Sequence, residues 1–465
     1  MKLLLRNVEV DGRVVDVLVA QGRIAAVEQH IGATPTANGP DVTIDGRGGS
    51  LLPGLHDHHL HLLAIAAAHR SVDCSPVAVR NAAGLRRALS RAPLLDGWIR
   101  GTGYHESVAG ALDRARLDAW VSDRPVRIQH RGGALWMLNS RALELVSAVL
   151  DDSADVERDA DGAPTGRLWR YDARLRPALP QTEPDLATVG ERLTRFGITG
   201  VTDATPDIDS DAIALLGRAR VRGELPPTLL LGAPAGVELP PGLAAGPFKL
   251  LLRDHDLPDY EALRAAVVAN HERHRAVAVH CVTREALLLT LAVLDDAGPL
   301  AGDRIEHAGV VPPGIGAWIA RLGLRVVTQP GFLAVRGDDY LREVDADDCP
   351  YLYPFAGLLA AGVPTAASSD APFGPLDPWA VIRAAAERRT AAGAVLGAAE
   401  RVDTVTALRG YLTAADDPGG EPRRVEVGAR GGLCLLHLPL AEALAAPTAS
   451  AVRGVVVDGV PRLFD

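Results

Sequence analysis

The sequence predicts an α/β protein: a (β/α)8 TIM-like barrel carrying a small β-sandwich domain built from the N- and C-terminal segments. Three observations point there. Short alternating apolar runs separated by turn residues occupy both ends of the chain. The middle mixes strand-like apolar runs with longer helix-like stretches. In that middle, lysine, histidine and aspartate stand in or at the ends of successive apolar runs, where a barrel gathers its functional groups.

Taken in order, Leu3-Leu-Leu, Val14-Val-Asp-Val-Leu-Val19 and Ile24-Ala-Ala-Val27 read as strands joined at Asp11-Gly12 and Gln21-Gly22. Val42-Thr-Ile-Asp-Gly46 is a fourth run leading to Pro53. Leu433–Leu438 and Val452–Gly459 mirror this at the other end. The expected domains are therefore 1–50 and 406–465 as two parts of the small β-domain, with the barrel over 51–405. The chain has 465 residues, and the middle offers more than eight strand candidates. Insertions are accordingly expected near 70–190. Residues 331–355 follow a strand end and hold Phe332, Tyr340, Tyr351, Tyr353 and Phe355. They read either as a mobile lid or as a packed surface loop.

The most concentrated chemistry is Pro53-Gly-Leu-His-Asp-His-His-Leu-His61. His59 and His61 are two apart, so on a strand they share a face with backbones about 6–7 Å apart. That spacing suits two imidazoles converging on one divalent ion. Asp57 could join them as a ligand or orient an imidazole from behind. His56 and His58 would share the opposite face and remain unassigned. Further on, Ala276-Val-Ala-Val-His280, Asp303-Arg-Ile-Glu-His307 and Gly362-Val-Pro-Thr-Ala-Ala-Ser-Ser-Asp370 are apolar runs that end in a histidine or an aspartate. The chain contains only two lysines, Lys2 and Lys249, and Lys249 sits in the apolar run Gly246–Leu252. A lysine amine, unlike a guanidinium, can lose its proton and react. With carbon dioxide it forms a carbamate, an anionic metal ligand.

These motifs resemble the amidohydrolase superfamily, and within it the amidohydrolase family 3 group that includes N-substituted formamide deformylases. The likeness runs through Trp98-Ile-Arg-Gly-Thr-Gly-Tyr104, Asn139-Ser-Arg-Ala-Leu143, Asp161-Gly-Ala-Pro-Thr-Gly166 and Gly197-Ile-Thr-Gly-Val-Thr202. It implies that His59 and His61 hold one metal with Asp370. It further implies that His280 and His307 hold a second, with carbamylated Lys249 bridging. The implied cofactor is two zinc ions per chain, with manganese, iron or cobalt as alternatives. Substrate contacts are expected from Trp136, Arg131, Asn139, Tyr104, His105, Gln329 and Phe332. Several loops depart from the group. Gly132-Gly133-Ala134 replaces a usual Asp-Gly-His, Leu252-Arg-Asp-His255 follows the strand lysine, and Arg170 stands where a glutamate is common.

The implied reaction is hydrolysis of a small-molecule C–N bond, in an N-acyl or N-formyl amine, by a metal-bridging hydroxide. Asp370 would act as base and then acid. Three rivals stay open: a mononuclear deaminase, an ester or lactone hydrolase using the same centre, and a metal-free scaffold. The deaminase reading is weakened by Thr283, where such relatives keep a glutamate. Net charge is 48 minus 58, or −10, which disfavours nucleic acid and anionic membrane as partners. No apolar run reaches the roughly 18 residues of a membrane span. Cys74, Cys281, Cys349 and Cys434 are scattered without a Cys-x-x-Cys pair, which fits a reduced, cytoplasmic protein. The remaining expected partners are a small-molecule substrate and, as an open option, a second copy in a homodimer.

Overall fold

The computed structural model describes residues 1–32, 40–180 and 182–464. The chain separates into two compact units, Met1–Leu62 with Leu186–Asp465, and Leu63–Asp185.

The first unit contains two four-stranded sheets from the chain ends. One joins Lys2–Val10, Arg13–Ala20, Arg23–Glu28 and Val42–Asp45; the other joins Leu51–Pro53, Leu433–Leu436, Val452–Val457 and Val460–Leu463. Alternation explains how they meet. Leu3, Leu5, Val17 and Val19 point to one side of the first sheet and share a core with Leu433, Leu435 and Val456 of the second.

The same unit carries nine parallel strand segments. Leu55–Leu60, Ile198–Asp203, Thr228–Leu230 and Leu243–Ala245 pair successively, as do Phe248–Leu250, Val277–Cys281, Arg304–His307, Arg325–Thr328 and Thr365–Ala367. Hydrogen bonds cross both seams between these sets. Lys249 N donates to the Leu231 carbonyl (3.1 Å), and Asp370 N donates to the His59 carbonyl (2.8 Å). Strands such as Leu55–Leu60 and Ile198–Asp203 are buried at every position, as parallel strands covered on both faces must be. Helices between them start on side-chain caps. Asp209, Asp259 and Thr283 each accept from the backbone N–H three residues on, a contact that stabilises by about 1 kcal/mol.

The second unit is more than a set of loops. It has its own six-stranded mixed sheet, ordered Val156–Arg158, Pro164–Trp169, Leu135–Leu138, Val126–His130, Ile99–Tyr104 and Val72–Asp73. Successive side chains of Leu135–Leu138 feed opposite cores. Leu135 and Met137 join Leu85, Ile99 and Ile128, whereas Trp136 and Leu138 join Leu143, Leu168 and Tyr171.

Residues 331–355 are packed at both ends. Gly331–Glu343 is a helix and Cys349–Tyr351 a single 3-10 turn. Phe332, Leu333, Leu352 and Tyr353 are buried together with Val310 and Leu396. The fully buried Arg388 fixes this segment by donating to the carbonyls of Leu352 (2.6 Å) and Tyr353 (3.0 Å). Both ends of the segment are thus packed, while most of 341–350 is exposed.

Candidate metal centre

The strand Leu55–Leu60 presents its histidines to two different neighbourhoods, as strict alternation demands. His56 and His58 stack with ring centres 4.6 Å apart. Their Nε2 atoms meet the hydroxyls of Thr202 and Thr413, each at 2.9 Å. Both rings are therefore committed to packing on the face away from the other histidines. His59 and His61 lie on the opposite face. Ring centres of His59 and His307 are 4.8 Å apart, and those of His307 and His280 are 4.4 Å apart. Asp370 Oδ1 lies 3.2 Å from His61 Nε2 and 3.7 Å from His59 Nε2. One ligand atom each from His59, His61 and Asp370 falls within 4.8 Å of the others. The structure thus brings together His59, His61, His280, His307 and Asp370. Lys249 is buried at 4% exposure, and its charge acts on His59 and His280.

Groups behind these residues fix their orientation. Glu306 accepts from His59 Nδ1, and Arg304 Nε donates to the same carboxylate. Arg304 also donates to the His58 carbonyl (3.0 Å), which ties the two strands together. Gln329 Oε1 accepts from His307 Nδ1 (2.8 Å) and its amide donates to Ser368 Oγ (2.9 Å). Thr205 Oγ1 lies 3.2 Å from His61 Nδ1. Each of these contacts occupies Nδ1 and leaves Nε2 for a ligand. Asp57 Oδ1 accepts from His59 N (3.1 Å) and Ser369 N (3.2 Å), joining the histidine strand to the segment before Asp370. Asp57 thus holds two backbone segments together rather than an imidazole ring.

The electrostatics suit a cation. Burial, then the charge of Lys249, holds His59 far below the ordinary imidazole range. Burial brings His280 down to about 3, and burial with His280 lowers His307. All three are neutral rings with a lone pair to give. Burial alone would raise Glu306, but Arg304 and then Lys249 hold it below its usual value. Burial pushes Asp57 up to about 7. Lys249 Nζ, Asp370 Oδ1 and Asp57 Oδ2 are buried without a hydrogen-bond partner. Orphaned polar atoms of this kind are costly, and a divalent ion with an anionic lysine derivative would satisfy the first two. The donor set of imidazole nitrogen and carboxylate oxygen, with no thiolate, fits zinc, manganese, iron or cobalt.

Glu306 was missed by the sequence reading, although it stands beside His307. Neighbouring strand residues ordinarily face opposite ways. Here His307 has φ +72°, in the left-handed region, where alternation no longer holds. Both Glu306 and His307 consequently reach His59. Asp370 is also left-handed, at φ +49°. Non-glycine residues in this region are held there by their surroundings and concentrate at functional sites.

Most expected substrate contacts turn out to have other tasks. Gln329 is fully buried and spends its amide on His307 and Ser368. Asn139 caps the helix Ser140–Val146, and its amide donates to the carbonyls of Val121 and Arg124, each at 2.8 Å. Tyr104 is fully buried, with its hydroxyl donated to the Gly110 carbonyl. Trp136 is 3% exposed and donates Nε1 to Asp172 (2.9 Å). Their polar groups are used up internally, so these four are corrected to structural roles. Phe332 packs on Tyr353, ring centres 5.4 Å apart, with the Arg336 guanidinium over its face. His105 and Arg131 are half-buried in the second unit, where His105, Glu106 and His130 form another group of closely spaced ligand atoms.

A cavity of about 960 Å³ in the first unit is lined in part by His56, Thr199, Thr228 and Leu243. These residues stand near the amino ends of their strands, where a parallel α/β architecture builds stability rather than chemistry.

The chain is 27% identical to an N-substituted formamide deformylase of Arthrobacter pascens, an alignment covering 90% of this chain and 89% of that one. It is 24% identical to the putative amidohydrolase YtcJ of Bacillus subtilis (strain 168), over 74% of each chain. Among solved structures it resembles an uncharacterized metal-dependent hydrolase from Pyrococcus horikoshii OT3, with a TM-score of 0.73, 20% identity and coverage of 92% and 96%. The amidohydrolase family model matches residues 42–462, and the chain belongs to that family of hydrolases.

Proposed function

We propose that this protein is a metal-dependent hydrolase that cleaves the C–N bond of a small N-acyl or N-formyl amine, at a two-metal centre held inside a closed eight-stranded barrel. In that barrel Leu243–Ala245 and Phe248–Leu250 count as one kinked strand. The observation that carries the reading is the convergence of four histidines on Asp370 and Lys249, the last two with orphaned buried atoms.

His59, His61 and Asp370 would hold one ion, and His280 and His307 the other, with Lys249 as its carbamate between them. Divalent ions there supply Lewis acidity toward a carbonyl and acidify bound water. The protein's own residues do the rest. Glu306 and Gln329 keep His59 and His307 in the Nδ1–H tautomer, so that Nε2 faces inward. Asp370, through the carboxylate oxygen that does not hold an ion, would take a proton from the attacking water and return it to the leaving nitrogen. Phe332, Tyr353 and Phe373 form the apolar wall beside His61 and Asp370. Phe373 meets the His61 ring edge-on at 5.5 Å, and the Asp370 charge acts on Tyr353. An apolar wall favours a substrate with a hydrocarbon substituent on nitrogen, and the deformylase relative supports the same class.

The test is elemental metal content per chain for wild type and Lys249→Ala, each purified with zinc and bicarbonate. Near two ions in wild type and one or fewer in the variant is the expected result. One ion in both would favour a mononuclear deaminase-like site, and none in either would end the metal reading. Release of formate from a panel of N-substituted formamides then tests the substrate class.

A further inference from the structure

The second unit contains a small cavity of about 130 Å³ whose lining includes Arg70, Arg100, Arg127 and Trp98. Arg100 and Arg127 are direct partners on adjacent parallel strands, so their side chains leave the same face side by side. Like charges so placed repel. Both nevertheless lean on the same indole, their guanidinium carbons 5.4 and 5.2 Å from the Trp136 ring centre. Two cations on one aromatic ring are held together, not merely adjacent.

The protein places Asp96 and Asp172 near these three guanidiniums but pairs neither with them directly. Among the described residues, none of Arg70, Arg100 and Arg127 forms an ion pair. The nearby carboxylate of Asp172 accepts from Trp136 Nε1 and acts on Arg100 and Arg127 only at longer range. Asp96, also on the cavity wall, is engaged by Thr182. Arg100 satisfies part of its guanidinium on the Ala67 carbonyl (2.8 Å) and Ser71 Oγ (2.5 Å). Arg127 Nε is buried with no partner at all. Guanidiniums stay protonated, so this surplus cannot be shed by titration. The cavity has the volume of about four waters, enough for one tetrahedral oxyanion.

We propose that this cavity binds a small oxyanion of phosphate or sulfate type, clamped between Arg70, Arg100 and Arg127. The guanidinium edge offers paired N–H donors, the geometry that recognises such anions. The site is separate from the metal centre in its residues, all of which belong to the Leu63–Asp185 unit.

The test is calorimetric titration of the intact, metal-loaded protein with inorganic phosphate, sulfate and acetate, at ionic strength fixed with chloride. Saturable binding of phosphate or sulfate in wild type, weakened at least tenfold in Arg127→Gln and in Arg70→Gln, is expected. Arg70 is only half-buried, so its variant reports even if Arg127→Gln fails to fold. Arg127→Lys should retain partial binding. Phosphate captured by the metal centre would bind equally in both glutamine variants, and that result overturns the proposal. So does the absence of saturable binding in wild type. Acetate binding as tightly as phosphate would overturn the oxyanion class in favour of a carboxylate.

Discussion

Among the described residues, two clusters offer histidine and carboxylate atoms at metal-binding spacing, His59 with His61 and Asp370, and His105 with Glu106 and His130. They differ in what the far nitrogen of each ring is doing. At the first, Glu306 accepts from His59 Nδ1, which frees Nε2. At the second, Gly132 N donates to His130 Nδ1 (3.1 Å), so the neutral ring carries its proton on Nε2 and spends it on Glu106 (3.0 Å). His105 likewise accepts at Nδ1, from Ser107 N (3.3 Å), as the cap of a short helix. Proximity is equal; readiness is not. The comparison teaches that the hydrogen bond behind an imidazole, more than the distance in front of it, marks a ligand.

The largest effect expected from testing this contrast is at Asp370. Asp370→Asn should keep most of its metal but lose hydrolysis by about 10³-fold or more, read as kcat together with metal content. Near-normal turnover would remove Asp370 from proton transfer. Next comes Glu306→Gln, which should weaken metal binding by roughly 10–100-fold in chelator competition. Unchanged affinity would show that the group behind His59 is dispensable.

Acidification should act in the same place. His280 titrates near 3 when folded against an ordinary 6.5. The unfolded chain therefore binds more protons in that window, and stability falls as pH drops from about 6.5 toward 3. His56, His58, His59 and His307 are lowered for the same first cause, burial. Asp57, raised from 3.8 to about 7, pulls the other way, as do Asp172 and Asp377, which burial also raises. Melting temperature of metal-stripped protein, followed from pH 7 to 4, should decline throughout; a flat profile would contradict neutral buried histidines. The smallest effect is at the contrasting cluster, where His130→Ala should leave metal content unchanged.

Much of the centre was legible in the sequence because strands obey a period of two and parallel strands end at one edge. His59, His61, His280, His307 and Asp370 were all reached that way. The rule failed where the backbone left it. Glu306 was passed over because its neighbour His307 adopts a positive φ that alternation does not anticipate. Asn139 has a task that a shorter-range pattern already signals. An asparagine directly before Ser-Arg-Ala-Leu is a helix N-cap signal, and the structure uses it as one. The second unit reads as insertions because its strands, scattered from Val72 to Trp169, pair in a mixed order that no local pattern encodes.

The core shared by Leu3, Val17, Leu433 and Val456 has a consequence for biosynthesis. A ribosome releases the first hairpin long before the strands that cover it. The apolar face of that hairpin must wait, exposed or shielded by a chaperone, until nearly the whole chain has emerged. Deleting the last two strands should therefore harm solubility during expression well before it touches any residue of the metal centre.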